Sequence, residues 1–518
     1  MSRELVHQIL DGLEKLGVVH ITLCPSSRNA YFVQELKSSE RFKVTSWFEE
    51  RSAAFYTLGL IKNSGKPAVI ITTSGTAAAE TLPATMEAFY SGLPLIILTT
   101  DRPRRYRLTG APQSAEQVGL FSHYVHAEED IADGETLKFT SNLCPKGPLH
   151  LNVCLEDPYG KGKIDPHTKP EWSLQDFEYD KETLSNFLDN AVCPFVIVSG
   201  LTKEEQPAVE SFLRILKAPV YLEASSGLRE NKALDHLSIR TTEGIWQRAE
   251  KAGYPIDAVL RIGGVPTLRM WRDLDECQGK YALLSISANP FPGASWSKCL
   301  VGNLIGLKDT VVHKEYEPYN NFIKEDQKVL EKRLISFDKF PSSEPALVHY
   351  LSQLIGTESF VYLGNSLPIR EWDMAASFSH PHANIAANRG VNGIDGQLST
   401  FFGMCREDVP CWGIFGDLTT LYDMSAPWAL FQNPHIKPVC VVINNGGGKI
   451  FERMYGDKAF YNCHNLSFAP LASLWNMQYV QWHTVPEKLP PNIYQKAYLI
   501  EIIPDAEQTK LFWSADNS

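Results

Sequence analysis

The sequence predicts an α/β protein of three domains, each a doubly wound parallel sheet. Three observations carry this. Apolar runs rich in β-branched residues alternate with helical patterns along the whole chain, which implies parallel strands covered on both faces. The length of 518 residues suits about three domains. Two polar, proline-bearing stretches then cut the alternation into thirds.

In the first third, "VVHITLCP", "FKVTSWF", "PAVIITT" and "LPLIILTT" read as strands. "ERSAAFYTLGLIKN" and "GTAAAETLPATMEAFYSG" read as helices between them, and "GPLHLNVCLEDPYG" as a last strand and exit. Residues Lys161 to Asp180 read as a linker. A second alternation runs through "PFVIVSG", "PVYLEASSG", "AVLRIGG" and "YALLSIS". "SFDKFPSSEP" reads as a second linker. The last third repeats the pattern in "SFVYLGN", "HANIAAN", "CWGIFGD", "KPVCVVINN" and "AYLIEIIP". The expected domains are therefore 1–175, 185–340 and 345–518.

Composition narrows the function. The chain is 44% hydrophobic and 21% charged, as in ordinary globular proteins. Its formal charge of -11 argues against nucleic acid as a partner, because that needs a concentrated basic face. No apolar run reaches the length of a membrane span. The N-terminal stretch alternates charged and apolar residues and lacks a signal-peptide core. The ten cysteines form no C-x-x-C pair and read as reduced thiols of a cytoplasmic protein.

Two strand ends carry candidate chemistry. "CWGIFGD" ends on Gly416-Asp417, and "CVVINNGGGKIF" turns polar at Asn444-Asn445. Ligands of open parallel sheets sit beyond the carboxyl ends of strands. A carboxylate and an amide oxygen suit Mg²⁺, and Gly446, Gly447 and Gly448 let backbone approach a diphosphate. Taken singly, Asp417 reads equally as a helix cap and the asparagines as a turn. Residues 419 to 443, 25 in all, are one helix plus one strand, the crossover that sets both ends side by side.

Gly-Asp-x, this spacer and Asn-Asn resemble the metal and diphosphate signature of thiamine-diphosphate enzymes. The resemblance implies Asp417, Asn445 and the Gly447 carbonyl as ligands of Mg²⁺ (or Mn²⁺). It also implies a glutamate that activates the cofactor's aminopyrimidine ring, and "SWFEERSAAFYTLGL" offers Glu50, with Glu49 as an ordinary surface acid beside it. The stretches "CPSSRNAYF", "WFEERSAAF", "TTSGTAAAE", "TDRPRRYRLTGAPQS", "GNSLPIREWD", "NRGVNGIDGQLST" and "GDLTTLYD" resemble the menaquinone-pathway synthases of 2-succinyl-5-enolpyruvyl-6-hydroxy-3-cyclohexene-1-carboxylate.

That likeness implies decarboxylation of 2-oxoglutarate and addition of the succinyl-semialdehyde unit to isochorismate. It implies Ser27, Arg28, Arg102, Gln113, Arg269, Ser366, Arg370 and Arg389 around two dianionic substrates, a role that suits arginine. Ile394 is implied as the prop of a bent cofactor, with Ile450 and Phe451 packed nearby. A homodimer or a dimer of dimers is implied. Ser26 and Met270 depart from the family pattern. Read without the likeness, Arg28 and Arg370 suit exposed helix positions, Ser366 a helix cap, and Ile394 and Phe451 plain core. Two rival functions remain: another thiamine-diphosphate 2-oxoacid decarboxylase or acetolactate-synthase-like enzyme, and a catalytically silent module of the same fold.

Overall fold

The computed structural model describes residues 2–37, 39–107, 113–138, 147–155, 178–267, 270, 274, 279–290, 297–310, 312, 314, 316, 319–452 and 461–516. Residues 156–177, most of the first expected linker, lie outside them, as does Arg269. So do the side chains of 2, 106, 451 and 516.

Eighteen strands among the described residues form three six-stranded sheets, and every pairing is parallel. The first holds β1 (His20–Leu23), β2 (Lys43–Ser46), β3 (Ala68–Thr72), β4 (Leu95–Asp101), β5 (Ala127–Ala132) and β6 (Leu149–Cys154), in spatial order 2-1-3-4-6-5. The second holds β7 (Pro194–Val198), β8 (Val220–Leu222), β9 (Ser238–Ile239), β10 (Ala258–Ile262), β11 (Ala282–Ser287) and β12 (Lys298–Val301), in order 12-11-10-7-8-9. The third holds β13 (Phe360–Leu363), β14 (Ile385–Ala386), β15 (Cys411–Gly416), β16 (Val439–Ile443), β17 (Gln478–Trp482) and β18 (Tyr498–Ile502), in order 14-13-15-16-18-17.

The first and third sheets thus share one topology, and the second has the 3-2-1-4-5-6 order of dinucleotide-binding folds read from the other edge. The strands form where apolar runs are buried on both faces. In the second sheet, Val196, Val198, Leu260 and Ile262 join one core, while Phe195, Ile197 and Val259 join the core on the opposite face. The expected doubly wound class holds. No helix among the described residues is long and apolar enough to cross a membrane.

By backbone proximity the chain falls into two compact units. One is Met1–Gln175, Gly390–Arg406 and Thr419–Ile436, and the other is Asp176–Arg389, Glu407–Leu418 and Lys437–Ser518. The first contains the first sheet, and the second contains the other two.

Three sequence readings need correction. "SFDKFPSSEP" is no linker: Ser336–Lys339 ends a helix that began at Asn320. Phe322, Ile323, Asp326, Arg333, Ser336 and Phe337 are its buried face, a helical period that continues into the polar stretch. "GTAAAETLPATMEAFYSG" makes two helices, Thr76–Glu80 and Leu82–Ser91, meeting at Thr81 with Pro83 in the first turn of the second. "HANIAAN" yields only the two-residue edge strand β14.

Within the first unit, helix α1 (Glu50–Ser64) crosses α2 (Gln397–Met404) at two glycines. A Cβ at Gly59 would collide with the Thr400 carbonyl oxygen and lie 2.8 Å from Gly403 Cα. One at Gly403 would strike the Tyr56 carbonyl oxygen and lie 2.9 Å from Gly59 Cα. Backbone atoms cannot swing aside as a side chain does. We expect Gly59→Ala to destabilise the protein by about 1–3 kcal/mol, the range for overpacked cores. Chemical unfolding with an unchanged midpoint would contradict this close approach.

Candidate active site

Strand β15 pairs with β16 so that Gly416 lies opposite Ile443, and both chains leave the sheet together. Asp417 opens helix α3 (Asp417–Tyr422), and its carboxylate bridges the two exits. Oδ1 accepts from the Leu418 N–H at 2.6 Å. Oδ2 accepts from Gly446 N–H at 3.0 Å and Gly447 N–H at 2.8 Å. His464 Nε2 stands 3.2 Å from the same oxygen. Burial raises the Asp417 carboxyl above its ordinary range, opposed by these N–H donors and by His464.

The two asparagines have different jobs. Asn444 is spent on structure: its Nδ2 donates to Glu501 Oε1 at 2.6 Å and to the Leu466 carbonyl at 2.8 Å. Asn445 Nδ2 donates to both oxygens of Glu344 at 3.0 Å, while its Oδ1 is buried with no hydrogen-bond partner. A buried amide oxygen left open costs free energy unless something fills its place. Gly446 and Gly447 have φ of 81° and 137°, and a Cβ at Gly447 would strike the Tyr461 carbonyl oxygen. Carboxylate, open amide oxygen and glycine backbone form a hard-oxygen set that fits a small divalent cation carrying phosphate. Among the described residues there is no metal cluster of His, Cys, Asp and Glu alone. Ile450 is half-buried beside this turn.

The acid pair at the end of β2 also divides its labour. Glu49 caps α1, accepting from Arg51 N–H at 3.0 Å and Ser52 N–H at 3.1 Å. It is no idle surface acid, which corrects the sequence reading. Glu50 is therefore not needed as the cap. Burial pushes its carboxyl up, and the carboxylates of Glu49 and Glu80 push the same way.

The arginines fall into two groups. In the first unit, Arg28 is buried and its Nη1 donates to the Leu155 carbonyl at 3.1 Å. Exposed Ser27 precedes it, and half-buried Arg102 follows β4. Gln113 is exposed, has φ 56° and backs onto Gly75, whose N–H donates to the buried Gln117. The segment 390–396 also belongs here: Gly390 and Val391 donate N–H to the buried carboxylate of Glu87 at 3.0 and 2.9 Å. Ile394 is half-buried on it, and Gly396, φ 63°, lies against the Phe55 ring on α1.

In the second unit, Ser366 takes φ 74° before helix α4 (Leu367–Ala375) and makes no side-chain cap, so the helix-cap reading fails. Arg370 Nη1 donates to the Ser366 carbonyl at 2.6 Å. It is half-buried, not on an open helix face. Arg389 Nη1 donates to Asn365 Oδ1 at 2.8 Å, and Asn365 Nδ2 to the Asn388 carbonyl at 2.8 Å. Burial and then the neighbouring Arg389 charge pull the Arg370 guanidinium down to about 10, and Glu223 opposes them. Glu223 itself, buried after β8, is pushed up by burial and Asp373 and held back by Arg389.

Sequence reasoning missed Glu344, Glu223, Glu87, Asn365 and Gln117. Each is a buried polar residue whose partner is distant in the chain, so no local spacing marks it. Arg269 and the Phe451 side chain lie outside the described residues.

Separating the acids gives a test. Glu49→Ala should cost about 1 kcal/mol through the lost cap. Glu50→Gln should gain stability over the parent as pH rises from 4 to 8. The folded carboxyl holds its proton more tightly than the unfolded one. The ionised folded form thus bears a cost that is absent at low pH and full above the folded value. Unfolding curves at both pH values check this, and a stability gap independent of pH would contradict it.

Residues 3–120 match the thiamine pyrophosphate enzyme N-terminal TPP binding domain. A 2-succinyl-5-enolpyruvyl-6-hydroxy-3-cyclohexene-1-carboxylate synthase of Bdellovibrio bacteriovorus is 40% identical, over 99% of this chain and 98% of its own. One from Akkermansia muciniphila is 35% identical over 95% of both. The crystal structure of benzoylformate decarboxylase from Polynucleobacter necessarius shares the fold at a TM-score of 0.70 and 16% identity, covering 96% of this chain and 98% of that one. The chain thus belongs to the 2-succinyl-5-enolpyruvyl-6-hydroxy-3-cyclohexene-1-carboxylate synthase family of thiamine-diphosphate enzymes.

Proposed function

We propose that the chain decarboxylates 2-oxoglutarate and joins the remaining four-carbon acyl unit to isochorismate. The products are 2-succinyl-5-enolpyruvyl-6-hydroxy-3-cyclohexene-1-carboxylate and CO₂, a step of menaquinone biosynthesis in the cytoplasm. The observation that carries the substrate class is the Arg370–Arg389 pair. Two neighbouring guanidiniums, each held by a backbone or amide oxygen, are poised for bidentate carboxylates.

When bound, thiamine diphosphate supplies the carbon nucleophile and the electron sink for loss of CO₂. Asp417, Asn445 and the Gly447 carbonyl hold Mg²⁺ or Mn²⁺ on its diphosphate. The Glu50 carboxyl exchanges a proton with the aminopyrimidine ring, a task that suits a carboxyl raised toward neutrality. Ile394 props the ring, and Ile450 and Phe451 pack beside it. Ser27, Arg28, Arg102, Gln113, Arg269 and Ser366 complete the substrate contacts. In this division residues 1–175 serve the aminopyrimidine, 345–518 the diphosphate, and 185–340 stand behind the arginines through Glu223.

The test is an assay of purified protein with Mg²⁺, thiamine diphosphate and 2-oxoglutarate, with and without isochorismate. Coupled product should appear only with isochorismate. Glu50→Gln should bind the cofactor yet lose most of the activity and slow exchange of the thiazolium proton seen by NMR. Exchange at the parent rate would remove Glu50 from this role.

We further propose a homodimer, or a dimer of dimers, in which Glu50 of one chain serves Asp417 of its partner. A two-fold axis then gives two equivalent sites. A site within one chain is the alternative. Inactive Glu50→Gln and Asp417→Asn chains are mixed by unfolding and refolding. Random pairing makes about half the dimers mixed, and one site in each mixed dimer carries neither lesion, so activity should return to about a quarter of the parent. No recovery from a confirmed heterodimer selects the one-chain site.

A further inference from the structure

Glu344 begins a helix, Glu344–Leu354, yet it does not behave as an ordinary first-turn acid. Such acids stay in water and gain from the helix dipole. Glu344 is 3% exposed, and both of its oxygens meet Asn445 Nδ2. The cap of this helix is supplied separately: Ser343 Oγ accepts from the Ala346 N–H. The Glu344 carboxylate thus contributes no cap.

Its position solves another problem. An amide side chain has two ends of nearly equal shape and opposite chemistry. Only the oxygen end ligates a cation. Both Glu344 oxygens accept from Asn445 Nδ2 at 3.0 Å, so the end of the amide that faces Glu344 is nitrogen. The other end, Oδ1, then points away, and it is the buried oxygen without a hydrogen-bond partner. We propose that Glu344 is a positioning residue for the divalent cation: it fixes the Asn445 amide so that oxygen, and not nitrogen, faces the metal. This rests on Asn445 being a ligand, as proposed above. Outer groups that orient metal ligands are worth about 10–100-fold in metal affinity.

The experiment reads Mn²⁺ binding, with no substrate and saturating thiamine diphosphate, from the loss of the free-ion signal in electron paramagnetic resonance. Glu344→Gln keeps the shape and offers either amide end to Asn445. It should weaken Mn²⁺ about tenfold. The decisive arm is the same change in an Asn445→Asp background. A carboxylate ligand has no wrong end, and Glu344 now faces a like charge. There Glu344→Gln should leave Mn²⁺ affinity unchanged or improve it.

A merely structural role for Glu344 would weaken Mn²⁺ equally in both backgrounds, and that result overturns the proposal. So does parent-like Mn²⁺ affinity in Glu344→Gln when Asn445→Ala loses it. Parent-like affinity in Asn445→Ala instead removes Asn445 from the metal, a failure of the underlying assignment that the same titration identifies. Thermal unfolding without metal checks that each variant is folded. Glu344→Leu, which removes the acceptor altogether, replaces the glutamine variant if that one does not fold, with the same loss expected.

Discussion

The carboxylate of Asp417 ties two neighbouring strand exits together, and the rest of the site depends on that tie. Parallel strands leave their last carbonyls and the following N–H groups at one edge of the sheet. Those groups need partners. Asp417 takes three N–H donors, one from its own helix and two from the glycine turn after β16. The turn is thereby held with Asn445 Oδ1 open. A side chain at position 447 would collide with the Tyr461 backbone, so glycine is required there on geometry as well as for its φ. Asn444 and Glu501 then anchor the turn from the β18 side. The hydrogen-bond needs of the strand ends thus leave a hard oxygen donor open beside a glycine turn.

The first and third sheets have the same strand order, 2-1-3-4-6-5, and both carry candidate groups just past strand ends. In the third sheet, Ser366 follows β13, Asp417 follows β15 and Asn445 follows β16. In the first, Ser27 and Arg28 follow β1, Glu50 follows β2 and Arg102 follows β4. The strand order reverses between β1 and β3 and between β13 and β15, where open sheets gather ligands. One topology used twice thus sets candidate groups past the strand ends of both sheets, an acid and arginines in the first and oxygen donors in the third.

Legibility in the sequence followed burial. Central strands such as β3, β4, β15 and β16 are apolar runs, buried throughout or nearly so, and were readable. Of the edge strands, β2 and β14 were readable, but β5, β9, β12 and β17 were not. "AEEDIA" of β5 reads as polar, because Asp130 takes Arg107 and Asn152 and Glu128 takes His150 across the sheet edge. The strand-end motifs were readable because Asp417 and Asn445 sit at fixed offsets from apolar runs. The residues that orient them were not. Glu344 is 101 positions from Asn445, and Glu87 is 303 from Gly390. Glu49 failed for the opposite reason: a local cap was visible in principle, but two adjacent acids do not announce which one caps.

An acidic chain can still be built to hold dianions, because net charge says little about a buried site. Arg389 makes Arg370 harder to keep charged. Glu223, buried beyond the end of β8, offsets that cost without standing on the helix or loop that carries either arginine. Asp373 on α4 binds the same central-domain segment, accepting from Tyr221 Oη and from the Ala224 N–H at 2.6 Å. The helix bearing Arg370 and the strand end bearing Glu223 are therefore fixed together by a carboxylate on the helix itself. The central sheet thus places, at the end of one strand, a buried carboxyl that opposes the lowering of Arg370. This is the same device as Glu344 behind Asn445 and Glu87 behind the 390–396 segment. In each case a buried acid faces a group from another part of the chain.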